Sequence, residues 1–258
     1  MLRLIQEIHR NRELIWTLAF KELRVRYKRS ALGFLWSLLN PLLMMIVLTA
    51  VFSQIMRIAV PSFWVFLISM LLPWTFFAQT LSYSAESIVG NGELLKKVRI
   101  TKSVFPVAAV LANLINFLLS LFPLLVLLVA LRFPLHLTWL YLPVPLLGLV
   151  MFSLGCAFFV AAANVFFRDV AHFLQIVISA WFYLSPIIYS VDIVPERYRV
   201  FFHLNPMVFV LNGFRLSIYY GLLPSAASAA MSIGVGLAAL VLGYAFFRRF
   251  EDSFVFYV

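Results

Sequence analysis

RVRYKRSALGFLWSLLNP, residues 24–41, sets the class of this chain. Arg24, Arg26, Lys28 and Arg29 crowd its first part, and the next charged residue after Arg29 is Arg57. An uncharged, mostly apolar run of that length exceeds the roughly 20 residues that a helix needs to cross a bilayer. The chain therefore passes into a membrane here, with the basic end held at one face.

The sequence on either side has the same texture. Of 258 residues, 64% are hydrophobic and 12% charged, whereas soluble domains are about 45–50% apolar and about 25% charged. The charges cluster and leave long neutral intervals, which predicts an all-α polytopic membrane protein. Six transmembrane helices are expected near residues 31–56, 63–84, 104–131, 140–165, 171–190 and 227–247. Fifteen Lys and Arg fall on one side of that arrangement, chiefly within residues 3–29 and 96–102, and five on the other. Basic residues collect on cytoplasmic ends, so both termini are expected in the cytoplasm. That placement also accounts for the net charge of +10 through lipid headgroups, and no nucleic-acid partner is expected. Cys156 is the single cysteine, so no intrachain disulfide can form. No cleavable signal peptide is expected, because the first long apolar run follows a charge-rich stretch.

Three segments are not spans. In residues 1–29, Leu4, Ile5, Ile8, Ile15, Leu18, Ala19 and Leu23 recur at helical spacing between charges, as in an amphipathic helix lying in the membrane interface. A plain anchor satisfies the same pattern. Residues 86–103 form a connection in which Gly90-Asn91-Gly92 breaks a helix and Glu93–Val98 has room for one or two turns. It is either a solvated loop or a short helix presented to a partner. Residues 192–224 contain a run too short to cross the bilayer. Pro195 suits a helix start, Asn205-Pro206 an interruption, and Gly221 and Pro224 an end. Two short re-entrant helices before the last span are expected, forming a gate region. Ser153, Ala157 and Ala161, and Ala230, Gly234 and Ala238, repeat every four residues and mark close helix contacts, within one chain or between chains.

No GxxxxGK[ST] phosphate loop is present, so the chain does not bind ATP in that way. Metal-ligand spacings such as HExxH and CxxC are missing too, and His9, His136, His172 and His203 are scattered. No metal, cofactor or catalytic residue is expected. The six expected spans hold no Asp, Glu, Lys or Arg, whereas ion-coupled carriers usually bury such groups. If the protein moves something, the energy comes from outside the chain. Among 27 Phe, 10 Tyr and 6 Trp, most serve as interface belts and packing. Tyr83, Trp181, Tyr183 and Tyr189 are candidates for lining a pathway, where aromatic faces would let a sugar chain slide.

Arg26-Tyr27-Lys28-Arg29-Ser30, followed by Leu32-Gly33, Leu35-Trp36 and Pro41-Leu42, resembles the first membrane crossing of type 2 ABC permeases that export polysaccharides. Asn164 to Val170, Ser185 to Tyr189, and Asn205-Pro206-Met207 are similar to that group's motifs in the same order. The likeness is greatest to O-antigen exporter permeases, with capsule and teichoic acid permeases nearby. The resemblance implies a homodimer in the inner (cytoplasmic) membrane with two copies of a separate ABC ATPase subunit, which would bind the ATP and Mg. It implies export of lipid-linked polysaccharide through a channel formed by the permease dimer. Glu93, Lys96, Lys97 and Arg99 become candidates for coupling to the ATPase. Arg24, Arg26, Tyr27, Lys28 and Arg29 become candidates for a substrate doorway that attracts a pyrophosphate, while lipid-headgroup binding accounts for the same charges. Pro195, Asn205 and Pro206 belong to the gate. Teichoic acid or another lipid is the alternative cargo. A membrane enzyme acting on polyprenyl-linked sugars is the alternative of another class.

Overall fold

The computed structural model describes residues 2–28, 33, 35–55, 60–98 and 100–258. Every regular element among them is helical, and 85% of these residues are in helices. The order is α1 Leu2–Arg10, α2 Arg12–Tyr27, α3 Leu35–Thr49, α4 Phe63–Ser87, α5 Gly92–Lys97, α6 Val104–Ala130, α7 Pro143–Phe166, α8 Val170–Leu184, α9 Glu196–Leu204, α10 Pro206–Arg215, α11 Ala226–Phe250 and α12 Phe254–Tyr257. A π turn, Ala50–Ile55, prolongs α3.

Among the described residues, four helical runs are long and apolar enough to cross a bilayer: Phe63–Ser87, Val104–Ala130, Leu137–Phe166 and Ala226–Tyr257. Two shorter apolar helices, Leu39–Ser53 and Val170–Leu184, lie where the first and fifth spans are expected. The helix expected over 171–190 stops at Leu184. Pro186 disfavours helical backbone in the residue before it, and Ser185 is extended at φ −102° and ψ 140°. The segment expected as one interface helix is two. Asn11 separates them, and its side-chain amide donates to the Glu7 carbonyl at 2.8 Å, a local bond that competes with regular helix.

Helix α4 is central, with 78% of its apolar window buried, whereas that share is 33% for α11. Phe66, Leu67, Ile68 and Phe77 fill the middle of the bundle, and Phe77 stacks on Phe152 of α7. The closest helix pair is α7 with α11. A Cβ on Gly155 would strike the Ala239 backbone, and one on Gly243 would strike Gly155. These contacts lie within one chain. The glycines that permit them, Gly148 and Gly155 against Gly236 and Gly243, repeat every seven residues. The four-residue stripe on α11 lies elsewhere: Ala230, Gly234 and Ala238 are exposed.

One end of the bundle gathers α1, α2, α5, α12 and the start of α6. There Glu7 accepts from Ser103 Oγ at 2.8 Å and Tyr244 Oη at 3.3 Å, and Arg248 pairs with both Glu7 and Glu251. The far end gathers α9, α10 and the loops around Pro61 and His136. Tyr219 Oη donates to the Pro61 carbonyl at 2.7 Å, and Gly221, at φ +63°, turns the chain back beside His136.

Candidate functional site

At the basic end, α2 lies across the ends of α4 and α6 and encloses a pocket of about 330 Å³. Arg26 organises it. Its guanidinium lies 3.8 Å from the centre of the Tyr83 ring on α4. One nitrogen donates to Asn113 Oδ1 on α6 at 3.1 Å and another to Glu22 Oε1 at 3.2 Å. Three helices thus meet on one cation, with a cation–π contact of about 0.5–2 kcal/mol. Burial pushes the Glu22 carboxyl above its ordinary range, opposed by the nearby Arg26 and Lys21. Lys21 Nζ reaches Asn91 Oδ1 at 3.2 Å, tying α2 to the turn that leads into α5.

Of the residues expected at a doorway, Arg26 lines this pocket. Arg24 and Lys28 are exposed on the surface beside it. The Tyr27 side chain and Arg29 lie outside the described residues. Tyr83, expected with the pathway aromatics, sits here beneath Arg26. Lys21 and Glu22 were missed, although Glu22 and Arg26 stand four apart, the spacing of a helical ion pair. Asn113 could not be found that way, because it joins the site only through tertiary packing.

Helix α5 follows the 3-10 turn Val89–Asn91. Leu95 is buried, while Glu93, Lys96 and Lys97 face outward. The Lys97–Glu93 pair spans 3.8 Å between exposed side chains and contributes little, about 0–1 kcal/mol. These charges are available to another surface. Arg99 lies outside the described residues. Beneath α5, Gly92 closely approaches Val258, so the segment after α11 packs under the helix.

The far end carries an aromatic groove of about 570 Å³ between α8, α9 and the start of α10. Trp181 and Tyr189 line it together with Tyr198, Phe201 and Phe202. Tyr183 does not; its ring is exposed, and its carbonyl accepts from Tyr189 Oη at 2.9 Å. Asn205 and Pro206 also line the groove. Asn205 Oδ1 accepts from the Met207 N–H at 3.0 Å, capping α10, and from Trp181 Nε1 at 2.9 Å. Its amide donates to the Leu184 carbonyl at 3.1 Å and Ser185 Oγ at 3.2 Å. Pro195 precedes the first residue of α9, and Arg199 donates to the carbonyls of Val194 and Asp192, fixing that corner.

Behind the groove, the buried Arg215 donates to the carbonyls of Pro186 and Ile187, both at 2.7 Å. Its guanidinium lies over Phe66 at 3.7 Å. These carbonyls belong to the turn after α8, outside any helical ladder, where a buried C=O needs another partner. In sequence, Arg215 reads as one of the few basic residues on the less basic side, with no sign of this partnership.

A family model described as ABC-2 type transporter matches residues 13–219. The chain is similar to the O-antigen export system permease protein RfbA of Myxococcus xanthus, 34% identical over 98% of each chain. It is also similar to a protein of that name from Klebsiella pneumoniae, 30% identical over 94% of this chain and 93% of the other. The polysialic acid transport protein KpsM of Escherichia coli is 26% identical over 92% of this chain and 93% of its own.

Proposed function

Since the chain belongs to the ABC-2 type transporter family and is a multi-pass membrane protein, we propose that it is the membrane subunit of an ATP-driven exporter of O-antigen-like, lipid-linked polysaccharide. The observation that carries this reading is the likeness, along nearly the whole chain, to permeases named for O-antigen export. The absence of a phosphate loop from the sequence supports a separate ATPase as the motor, bound in two copies to a permease dimer in the inner membrane.

In this reading six helices cross the membrane, with α3 and α8 joining the four longer ones. The end carrying α1, α2 and α5 faces the cytoplasm, together with both termini. Helix α5 docks on the ATPase through Glu93, Lys96 and Lys97. The pocket under α2 is the doorway, where Arg26 offers a cation to the lipid-linked diphosphate. The dimer encloses the channel, and α9 and α10 form the outer gate, where the aromatic groove gives a passing glycan apolar contact. ATP binding draws the two ATPases together, and α5 passes that motion to the spans.

Deleting the gene and following polysaccharide tests the reading. Surface glycan should fall while cytoplasmic lipid-linked glycan accumulates. Unchanged surface polysaccharide would reject polysaccharide as the cargo. Reversing charge at Lys96 and Lys97 together should abolish export and loosen binding of the co-expressed ATPase without lowering the amount of permease. Normal export by that variant would remove α5 from the coupling path.

A further inference from the structure

A crevice between α3, α4 and α6 differs from the rest of the bundle. Asn40, Thr75, Gln79, Asn113, Asn116 and Ser120 converge on a cavity of about 180 Å³. Polar side chains within apolar spans are costly unless they meet partners. Bonding between helices is one ordinary use for them. Asn113 is used in that way, toward Arg26 of α2, yet all six also line the cavity. Thr75 Oγ1 and Ser120 Oγ donate to carbonyls of their own helices, Leu72 at 2.7 Å and Phe117 at 2.6 Å, which leaves their oxygen lone pairs to accept. Among the described residues, the Asn40 and Gln79 side chains form no hydrogen bond with the protein. On α6, Asn113, Asn116 and Ser120 stand at i, i+3 and i+7, one face of the helix.

The remaining wall includes the rings of Phe76 and Phe117, with centroids 5.7 Å apart. Amides that donate and accept, hydroxyls that accept and flat apolar rings form a lining without a fixed charge. A diphosphate would need a cation, and a lipid tail would leave the amides unsatisfied. A sugar ring matches both kinds of surface, since its hydroxyls pair with amides while its C–H face lies on an aromatic ring.

The crevice also adjoins the doorway. Asn113 lines it and accepts the hydrogen bond from Arg26 at 3.1 Å. An anion held at Arg26 would therefore place whatever is attached to it beside the amides. We propose that the crevice between α3, α4 and α6 is a carbohydrate subsite, holding the sugar nearest the lipid-linked diphosphate while the diphosphate rests at Arg26. The inference rests on the doorway reading above.

Two probes separate the two ideas: a polyprenyl diphosphate bearing one hexose, and the same lipid diphosphate without sugar. Each is titrated against the full-length permease in lipid nanodiscs. The wild type should prefer the sugar-bearing probe by about tenfold, the value of one or two net hydrogen bonds. Gln79→Leu and Asn116→Leu should each remove most of that preference while affinity for the bare lipid stays unchanged. Should Asn116→Leu fail to fold, Gln79→Leu, at a half-buried position, and Ser120→Ala carry the test. Equal wild-type affinity for both probes would overturn the subsite, as would a preference that survives the substitutions or an equal loss of both probes. Arg26→Gln should weaken both probes alike. Unchanged binding of the bare lipid by that variant would instead reject the doorway, so the two failures are distinguishable.

Discussion

The indole N–H of Trp181 donates to Asn205 Oδ1 at 2.9 Å, joining α8 to the first turn of α10. The same oxygen caps α10 through the Met207 N–H, so one side chain fixes both the start of α10 and its distance from α8. Asn205→Ala removes the cap, worth about 1 kcal/mol, and leaves the Trp181 donor without its partner, worth about 1 kcal/mol more. The variant should unfold at lower temperature in detergent, with red-shifted tryptophan emission. Asn205→Asp keeps the acceptor and should retain the Trp181 bond. Identical melting of the alanine variant and the wild type would show that the contact contributes nothing.

Arg215 should tolerate no neutral replacement. Arg215→Ala deprives the Pro186 and Ile187 carbonyls of charge-assisted hydrogen bonds, a loss of roughly 3 kcal/mol. The turn after α8 should then become accessible. Cysteine placed at Tyr189 and probed with a membrane-impermeant maleimide should label faster in the Arg215→Ala background. Equal labelling rates would refute this role.

Glycine spacing gives a sharp contrast. Gly155→Ala and Gly243→Ala each push a methyl group into the backbone of the facing helix and should cost about 3 kcal/mol. Gly234→Ala meets nothing within 4 Å and should leave stability unchanged or raise it by about 1 kcal/mol. Thermal unfolding of the three variants reads the difference directly.

Glu22 gives a pH dependence of definite sign. Burial raises its carboxyl pKa in the folded state, with Arg26 and Lys21 pulling the other way. The folded state therefore binds this proton more tightly than the unfolded chain. Its contribution is fully present below the unfolded pKa, about 4.3, and is lost as pH rises through the folded value. Comparing wild type with Glu22→Gln isolates it from the other carboxylates. The wild type should gain stability relative to the variant as pH falls from neutral through the mildly acidic range. A difference that does not change with pH would reject the assignment.

Much of the helical layout was legible, because it depends on features that act along the chain. Charge-free runs located helices α3, α4, α6, α7, α8 and α11, and Pro195 and Asn205-Pro206 located the breaks around α9 and α10. Function was legible mainly through motif likeness, which the relatives named for O-antigen export support. The interactions between helices were not readable. Nothing local to Arg26 predicts Asn113, and nothing near Arg215 predicts the carbonyls after α8. Of the two small-residue stripes, Ser153, Ala157 and Ala161 on α7 are buried, whereas the one on α11 misled for the same reason. A four-residue repeat marks one face of a helix, but only the partner helix decides which face is used, and α7 meets α11 through glycines seven apart.

In the proposed reading, the hydrogen bond from Lys21 to Asn91 would give α2 a mechanical role. It fastens α2 to the turn just before α5, while Arg26, just over one helical turn further along α2, holds α4 and α6. A force applied to α5 would then reach the basic pocket by two routes, along the chain through Asn91 and Gly90, which line it, and through Lys21 to α2. In the proposed reading, opening of that pocket and the stroke of the motor would be geared together, and cutting the Lys21 link should loosen the α2 side of that gearing alone.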